Sequence, residues 1–349
     1  MSEFNEEKYA NCEKIKNRLY EIRVGKKVVV EAPKVSVVIP AYKIAPFVKE
    51  TLDSVLTQIY KNFEIILVND GSPDTEKLEK KLAPYFDKII YAKQENAGVS
   101  KARNAAICLA RGELIAFLDG DDQWLPEFLE SQINYLEINH LDMVYCDALL
   151  FGENYQNTET FAENAPSNGV VSPISLLSAE CNVITSGTIL RKAVFAKTDL
   201  FDATLPFMQD FDLWLRLAKA GLKISYQRKV LVKYRITSEG LSGNNVERAW
   251  RNIRALTVAE AKHELSRVER EAWERQMRLS NAEYETEKGK LCLTMKDFSE
   301  ARQHFIEANN FDHKLKLTVL IYLLKFAPNL TFQLFKKFRS SEFSFISSE

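Results

Sequence analysis

Residues 112–122 read Gly-Glu-Leu-Ile-Ala-Phe-Leu-Asp-Gly-Asp-Asp. The apolar run at 114–118 has the length of a strand buried on both faces. It ends in three carboxylates within four residues, Asp119, Asp121 and Asp122. Such neighbours repel one another unless something neutralises them. A hard divalent cation does this through oxygen ligands, and it shares its remaining positions with water and phosphate oxygens. The competing reading is an acidic turn leading into a helix opened by Pro126. Taken alone, the motif leaves both open.

Toward the N-terminus the same grammar repeats. Residues 35–39 are rich in β-branched side chains and end at Pro40. Residues 46–60 carry Val48, Leu52, Val55, Leu56 and Ile59 at helical spacing. Residues 63–68 form a second strand that runs into the turn Asn69-Asp70-Gly71-Ser72, and 88–92 form a third. Ser100 is placed to cap a helix that runs to Arg111, with Gly112 as its stop. Strands and helices alternating in this rhythm predict a mostly parallel sheet flanked by helices, with ligands at the carboxyl ends of the strands. Polar clusters stand at those ends, after residues 39, 68, 92 and 118.

A second α/β stretch covers about 141–240. It holds a strand at 143–150, a segment at 183–190, a helix at 211–220 stopped by Gly221 and a strand at 229–236. Strand signals then vanish, and residues 244–340 read as helical. The expected organisation is a charged helical arm at 1–33, an α/β domain at 34–243 and an all-α region at 244–349.

Composition excludes several classes. The 349 residues are 46% hydrophobic and 27% charged, with a net charge of -1, so bulk charge does not suit a nucleic-acid binder. The five cysteines, Cys12, Cys108, Cys146, Cys181 and Cys292, form no CxxC pair or zinc pattern and read as reduced residues of a cytoplasmic protein. The N-terminus lacks a signal-peptide apolar region, and no stretch approaches the ~20 apolar residues of a membrane span. No GxGxxG follows the first strand, no GxxxxGK[ST] occurs, and the first strand leads into Pro40-Ala41-Tyr42 instead of a glycine-rich loop.

Three further groups bear on chemistry. Asp70, at a strand end, suits the imide N–H of a uracil, or simply holds its own turn. In 96–104, Asn-Ala-Gly-Val-Ser-Lys-Ala-Arg-Asn, a glycine loop feeds a helix N-terminus with Lys101 and Arg103 in the first turn; both features suit anions. In 209–216, Gln-Asp-Phe-Asp-Leu-Trp-Leu-Arg, Asp210 is placed either to cap a helix or to act as a general base.

With these residues in view, the chain resembles the family 2 glycosyltransferases of GT-A fold from about residue 35 to 242. Six elements stand in the family's order: VSVVIPAY, FEIILVNDGS, ENAGVSKARN, GELIAFLDGDD, FDATLPFMQDFDLWLRL and VKYR. The resemblance implies an inverting transfer of one sugar from a nucleotide-diphosphate donor, a UDP-sugar, to an acceptor hydroxyl on a glycan or lipid-linked acceptor. It implies that Tyr42 and Asp70 hold the uracil, that Arg103 lies against the nucleotide, and that Pro40, Asn96, Gly98, Ser100 and Asp119 complete the donor side. Asp121 and Asp122 then hold a divalent cation, Mn2+ or Mg2+, and Asp210 is the catalytic base. Gln209, Trp214 and Arg216 are candidates for the acceptor side or its loops.

Two departures stand out. Gln209 occupies a position where the family usually has Glu. Thr237 stands where many members have a histidine, and no histidine lies between His140 and His263. The alternative they keep open is a catalytically silent GT-A scaffold that binds nucleotide-sugar or a partner. Sugar choice falls to loop contacts such as those of 182–187.

Residues 284–310 resemble one tetratricopeptide-type hairpin, with Tyr284, Leu291, Phe298, Ala301, Phe305 and Ala308 at packing positions. Beyond it, apolar residues mix with Lys314, Lys316, Lys325, Lys336, Lys337 and Arg339. That pattern suits either a core helix or peripheral contact with the inner face of an anionic membrane.

Overall fold

The apolar run at 114–118 does become a central strand, and the reason is visible on both sides of it. Val37, Val38, Ile39, Ile66, Leu67, Ile115, Ala116 and Phe117 are all fully buried. A strand covered on both faces keeps an unbroken apolar run instead of alternating. The structure, a computed structural model, describes residues 6–28, 32–152, 155–237 and 245–342.

In chain order the elements begin with α1 (Glu6–Lys16), β1 (Glu21–Val24), β2 (Val35–Ala41), α2 (Val48–Leu56), β3 (Phe63–Asp70), α3 (Thr75–Leu82), β4 (Ile90–Gln94), α4 (Val99–Leu109) and β5 (Leu114–Phe117). There follow β6 (Gln123–Trp124), α5 (Phe128–Ile138), β7 (Met143–Gly152), β8 (Tyr155–Thr160), α6 (Phe161–Asn164) and α7 (Pro173–Leu177). Then come β9 (Thr188–Arg191), α8 (Phe195–Thr198), α9 (Gln209–Lys219) and β10 (Ile224–Ile236). The chain divides into two compact units, one of residues 1–151 and 157–235, the other of 152–156 and 236–349.

Among the described residues, ten strands make one mixed sheet in the order β1-β4-β3-β2-β5-β9-β7-β10-β6, with β8 paired to β7. Parallel pairing joins β4, β3, β2 and β5, with Val37 opposite Ile65 on one side and Ala116 on the other. The chain moves outward from β2 to β3 to β4, then returns to place β5 on the far side of β2. That reversal is the topological switch point at which open α/β sheets bind ligands.

Several expectations need correction. β1, unforeseen in the charged arm, pairs antiparallel with β4, Glu21 opposite Lys93. β10 begins at Ile224, five residues before the expected start. The segment at 183–190, given no secondary structure from the sequence, holds a 3-10 turn, Thr185–Gly187, and the start of β9. Gly98, at φ 91°, is the N-cap of α4, so Ser100 lies inside the helix instead of capping it. The cysteines are not all reduced: Cys12 of α1 and Cys108 of α4 form a disulfide, which ties the arm to the sheet's covering helix.

The second unit contains α10 (Asn245–Lys262), α11 (Arg267–Thr294), α12 (Phe298–Asp312), α13 (Leu315–Phe326) and α14 (Pro328–Glu342). Ser266 and Glu269 form a capping box that starts α11. Leu293, Ala301, Phe305, Ala308, Leu317 and Leu324 make the core of this unit. Gly289 lets the α11 backbone meet Phe305, since a Cβ there would stand 2.8 Å from the ring. Of the hairpin positions read from sequence, Ala301, Phe305 and Ala308 are buried, whereas Leu291 is 44% exposed and Leu293 packs in its place. No described helix is long and apolar enough to cross a membrane.

Candidate functional site

The carboxyl ends of β2, β3, β4 and β5, with the loops and the helix start that follow them, carry the sequence-predicted donor-side residues. Tyr42 follows β2 and is 45% exposed, with Lys43 Nζ 5.5 Å from its ring centroid. Pro40 lies in β2 itself, half-buried. Asp70 closes β3 and is buried, and its carboxylate organises the loop after β4. It accepts from Gln94 Nε2 at 2.6 Å, from the Ala97 amide at 2.9 Å and from the Gly98 amide at 2.8 Å. A carboxylate offers about four acceptor positions, so one remains for a ligand. Asn96 and Gly98 are exposed on this loop. Gly71 is held at φ 58°, and a Cβ there would stand 2.4 Å from the Asn96 backbone nitrogen, so only glycine fits.

Arg103 projects from the second turn of α4 and is 4% exposed. Its Nη2 donates to Asp119 Oδ1 at 2.6 Å, and its guanidinium lies over Phe201, 5.4 Å from the ring centroid. Its Nε and Nη1 are buried and have no hydrogen-bond partner among the described residues. A buried guanidinium with two unsatisfied donors is costly unless a ligand oxygen completes it.

The three aspartates after β5 have different fates. Asp119 keeps a side chain that is 33% exposed. Burial, then the charge of Asp119, pushes the Asp121 carboxyl up to about 6. Asp122 is 1% exposed, and burial pushes its carboxyl well above the usual range, with Asp121 and Asp119 adding to the effect. Both Asp122 oxygens are engaged, one by the Ser186 hydroxyl at 2.5 Å and the other by the Arg235 amide at 2.8 Å. Asp122 therefore braces the loop against the turn before β9 and the end of β10. The three carboxylates do not converge on one point as a ready-made set of three ligands.

Sequence reasoning undervalued three residues. Ser186, 1% exposed, accepts from the Asp119 amide at 3.1 Å while donating to Asp122. Its neighbour Thr185 donates to Asp210 Oδ2 at 3.2 Å. Arg235 donates from Nε to the Asp121 carbonyl at 2.8 Å and from Nη2 to Glu50 at 2.6 Å, and its guanidinium is stacked between Phe47 and Phe151, 4.6 and 4.3 Å from their centroids. The signal for Arg235 was its place in Tyr234-Arg235. For Thr185 and Ser186 it was only their place in a loop assigned to sugar choice.

Asp210 sits in the first turn of α9, whose N-cap is Met208 at φ 60°, so Asp210 is not the helix cap. Its Oδ1 accepts from the Phe211 amide at 2.8 Å, and Oδ2 takes the Thr185 hydroxyl. Gln209 has a buried Oε1 without a partner among the described residues. The other acceptor-side candidates serve the fold. Trp214 is 2% exposed and packs edge-on against Phe117 and Phe201. Arg216 pairs with Asp212 at 2.9 Å and caps the carbonyls of Thr198, Asp199 and Leu200. Residues 238–244, which follow Thr237 and include the end of the resemblance, lie outside the described residues.

A mixed sheet with a parallel centre, and an acidic loop and a basic helix N-terminus at its switch point, has the architecture of a GT-A type fold. Two solved structures share that fold: S. aureus TarS residues 1–349 with UDP (TM-score 0.52, 18% identity, 88% of this chain and 92% of that one) and the Pyrobaculum calidifontis mannosyltransferase PcManGT with GDP-Man and Mn2+ (TM-score 0.55, 16%, 94% and 90%). Residues 36–197 match the model of Glycosyl transferase family 2. A glycosyltransferase of Methanocaldococcus jannaschii is 32% identical over 212 residues, 59% of this chain and 72% of that protein. The chain belongs to the family 2 glycosyltransferases. A Rickettsia typhi glycosyltransferase is 36% identical over 210 residues, 59% of this chain, and the chain spans 64% of that relative's length. The Escherichia coli UDP-Glc:alpha-D-GlcNAc-diphosphoundecaprenol beta-1,3-glucosyltransferase WfaP is 29% identical over 226 residues, 64% of this chain and 85% of that one.

Proposed function

We propose that the chain is an inverting, metal-dependent glycosyltransferase that moves one sugar from a UDP-sugar to an acceptor hydroxyl in surface-polysaccharide or lipid-linked oligosaccharide synthesis. The observation that carries this reading is one path made of hydrogen bonds and the Thr185–Ser186 peptide link. It runs from Asp210 to Thr185, on to Ser186, and from there to Asp122, Asp119 and Arg103. A base, an acidic loop and a buried arginine with spare donors are thereby fixed in one frame. WfaP, named for a UDP-glucose donor and a diphosphoundecaprenol-linked acceptor, supports the donor and acceptor classes. UDP bound to TarS and the Mn2+ held by PcManGT support the nucleotide and the cation.

Asp119 and Asp121 fit a hard cation by their chemistry, because two crowded carboxylates, one with its proton affinity raised, gain from a positive charge. Mn2+ or Mg2+ held there would spread the charge that develops on the leaving diphosphate. The chain's own groups do the rest. Arg103 offers Nε and Nη1 to donor oxygens. Asp70 has one acceptor position for an imide N–H. Asp210 Oδ2, oriented by Thr185, takes the acceptor's proton as the new bond forms.

Calorimetry of UDP with Mn2+ and with EDTA tests the reading, together with donor hydrolysis on a panel of nucleotide-sugars. The expected outcome is UDP binding that depends on the cation and turnover of one UDP-sugar. Equal affinity in EDTA sinks the metal bridge. Binding without turnover of any donor or acceptor leaves the silent scaffold.

A further inference from the structure

The helix α13 is mostly apolar, yet only one side of it faces the core. At ~100° per residue, the buried Leu317 and Leu324 share one side. Leu315, Val319, Tyr322, Leu323 and Phe326 fall on the opposite side, in a stripe about 100° wide. Their exposures are 77%, 50%, 60%, 38% and 74%. Lys316 and Lys325, both exposed, flank that stripe on its two edges. The next helix extends the pattern with exposed Leu330 and Leu334, followed by exposed Lys336 and Lys337. No Asp or Glu occurs in residues 315–339.

We propose that the outer face of α13 and the first turns of α14 dock on an anionic lipid bilayer. Water-facing apolar side chains at this density are unfavourable for a surface helix, so something covers them. The lysines decide what. The cores of protein–protein interfaces are depleted in lysine. An interfacial membrane helix instead places lysines beside its apolar face, their stems along the acyl boundary and their ammonium groups among the headgroups. A segment with basic residues and no acid between them complements anionic headgroups and repels nothing of its own.

Vesicle flotation of the full chain tests this, with phosphatidylcholine alone and with phosphatidylglycerol added. The expected result is flotation with the anionic vesicles that fades at high salt, because screening shortens the reach of the lysine charges. The Lys316→Ala/Lys325→Ala double variant should lose on the order of 30-fold in vesicle affinity, at about fivefold per charge near the surface. Val319→Ser/Phe326→Ser should abolish flotation. All four positions face solvent, so circular dichroism and Tm should match those of the wild type, which separates lost docking from lost folding. The proposal is overturned by absent flotation on anionic vesicles, or by a lysine variant that binds as tightly as the wild type. It is also overturned if sedimentation shows the chain pairing with itself through this face, with Phe326→Ser breaking the pair while vesicles stay unbound.

Discussion

Ser186 donates its hydroxyl to Asp122 at 2.5 Å across 64 residues of chain, and this bond ties the turn before β9 to the acidic loop after β5. The same oxygen accepts from the Asp119 amide, so one small side chain sets two of the three aspartates. Ser186→Ala leaves a buried carboxylate oxygen and a backbone N–H without partners. The expected cost is about 1–3 kcal/mol in unfolding free energy, read from the urea midpoint at unchanged slope. UDP affinity in Mn2+ should fall with it. A variant as stable as the wild type that binds UDP normally shows the loop is set elsewhere.

Asp210 and Thr185 make a second pair. Asp210→Asn keeps the shape and the Phe211 bond but cannot take a proton. Transfer should drop by roughly 100-fold or more while the UDP dissociation constant and Tm hold. Thr185→Ala keeps the carboxylate but leaves it free to turn, so a smaller loss, on the order of tenfold, should appear in kcat. Near-normal turnover by the Asn variant places the base on another residue.

How much of this was legible in the sequence depends on how local each signal was. Strands β2, β3 and β5 announced themselves because burial on both faces leaves an uninterrupted apolar run. β1 did not, because an edge strand with Ile22 45% and Val24 66% exposed has no core face to pattern it. Asp119, Asp121 and Asp122 were visible as a cluster, but their division of labour was not. Asp122 turns inward only because Ser186 and Arg235, 64 and 113 residues away, arrive beside it. Trp214 and Arg216 looked available because they follow Asp210 closely. On a helix, however, four residues on from Asp210 is Trp214, whose ring is claimed by Phe117 and Phe201 from distant elements.

Arg103 offers a test of the donor side. It pairs with Asp119, and its Nε and Nη1 have no hydrogen-bond partner among the described residues. Arg103→Lys keeps the charge but supplies a point donor in place of a planar fork. Calorimetry should show UDP binding weakened by about tenfold, with the cation still required. Unchanged UDP affinity removes Arg103 from the nucleotide.

The Cys12–Cys108 bond makes a prediction about thiol counts. Denatured without reductant, the protein should titrate three thiols, from Cys146, Cys181 and Cys292, and five after reduction. Closing 96 residues of chain, the bond should raise stability by up to about 4–5 kcal/mol on the chain-entropy account. Reductant should accordingly lower the urea midpoint of the wild type and leave that of Cys12→Ser unchanged. Five thiols without reductant would show that α1 packs on α4 without a covalent tie.

Asp121 ties stability to pH in a defined direction. Its carboxyl is pushed up to about 6 from an ordinary 3.8, by burial first and then by Asp119. Between those values the folded chain holds a proton at this site that the unfolded chain has lost. The resulting stability is fully present below pH 3.8, declines as pH rises, and is gone once pH passes about 6. Asp121→Asn removes the ionisation, so the metal-free variant should gain Tm relative to the wild type as pH rises through that window, by a few degrees. A cation competes with the same proton, so Mn2+ should stabilise the wild type above about pH 6 and lose its grip below it. The Asn variant should show little response to Mn2+ at any pH. Wild type and variant that track each other across the window, with equal Mn2+ responses, would remove Asp121 both from the titration and from the cation.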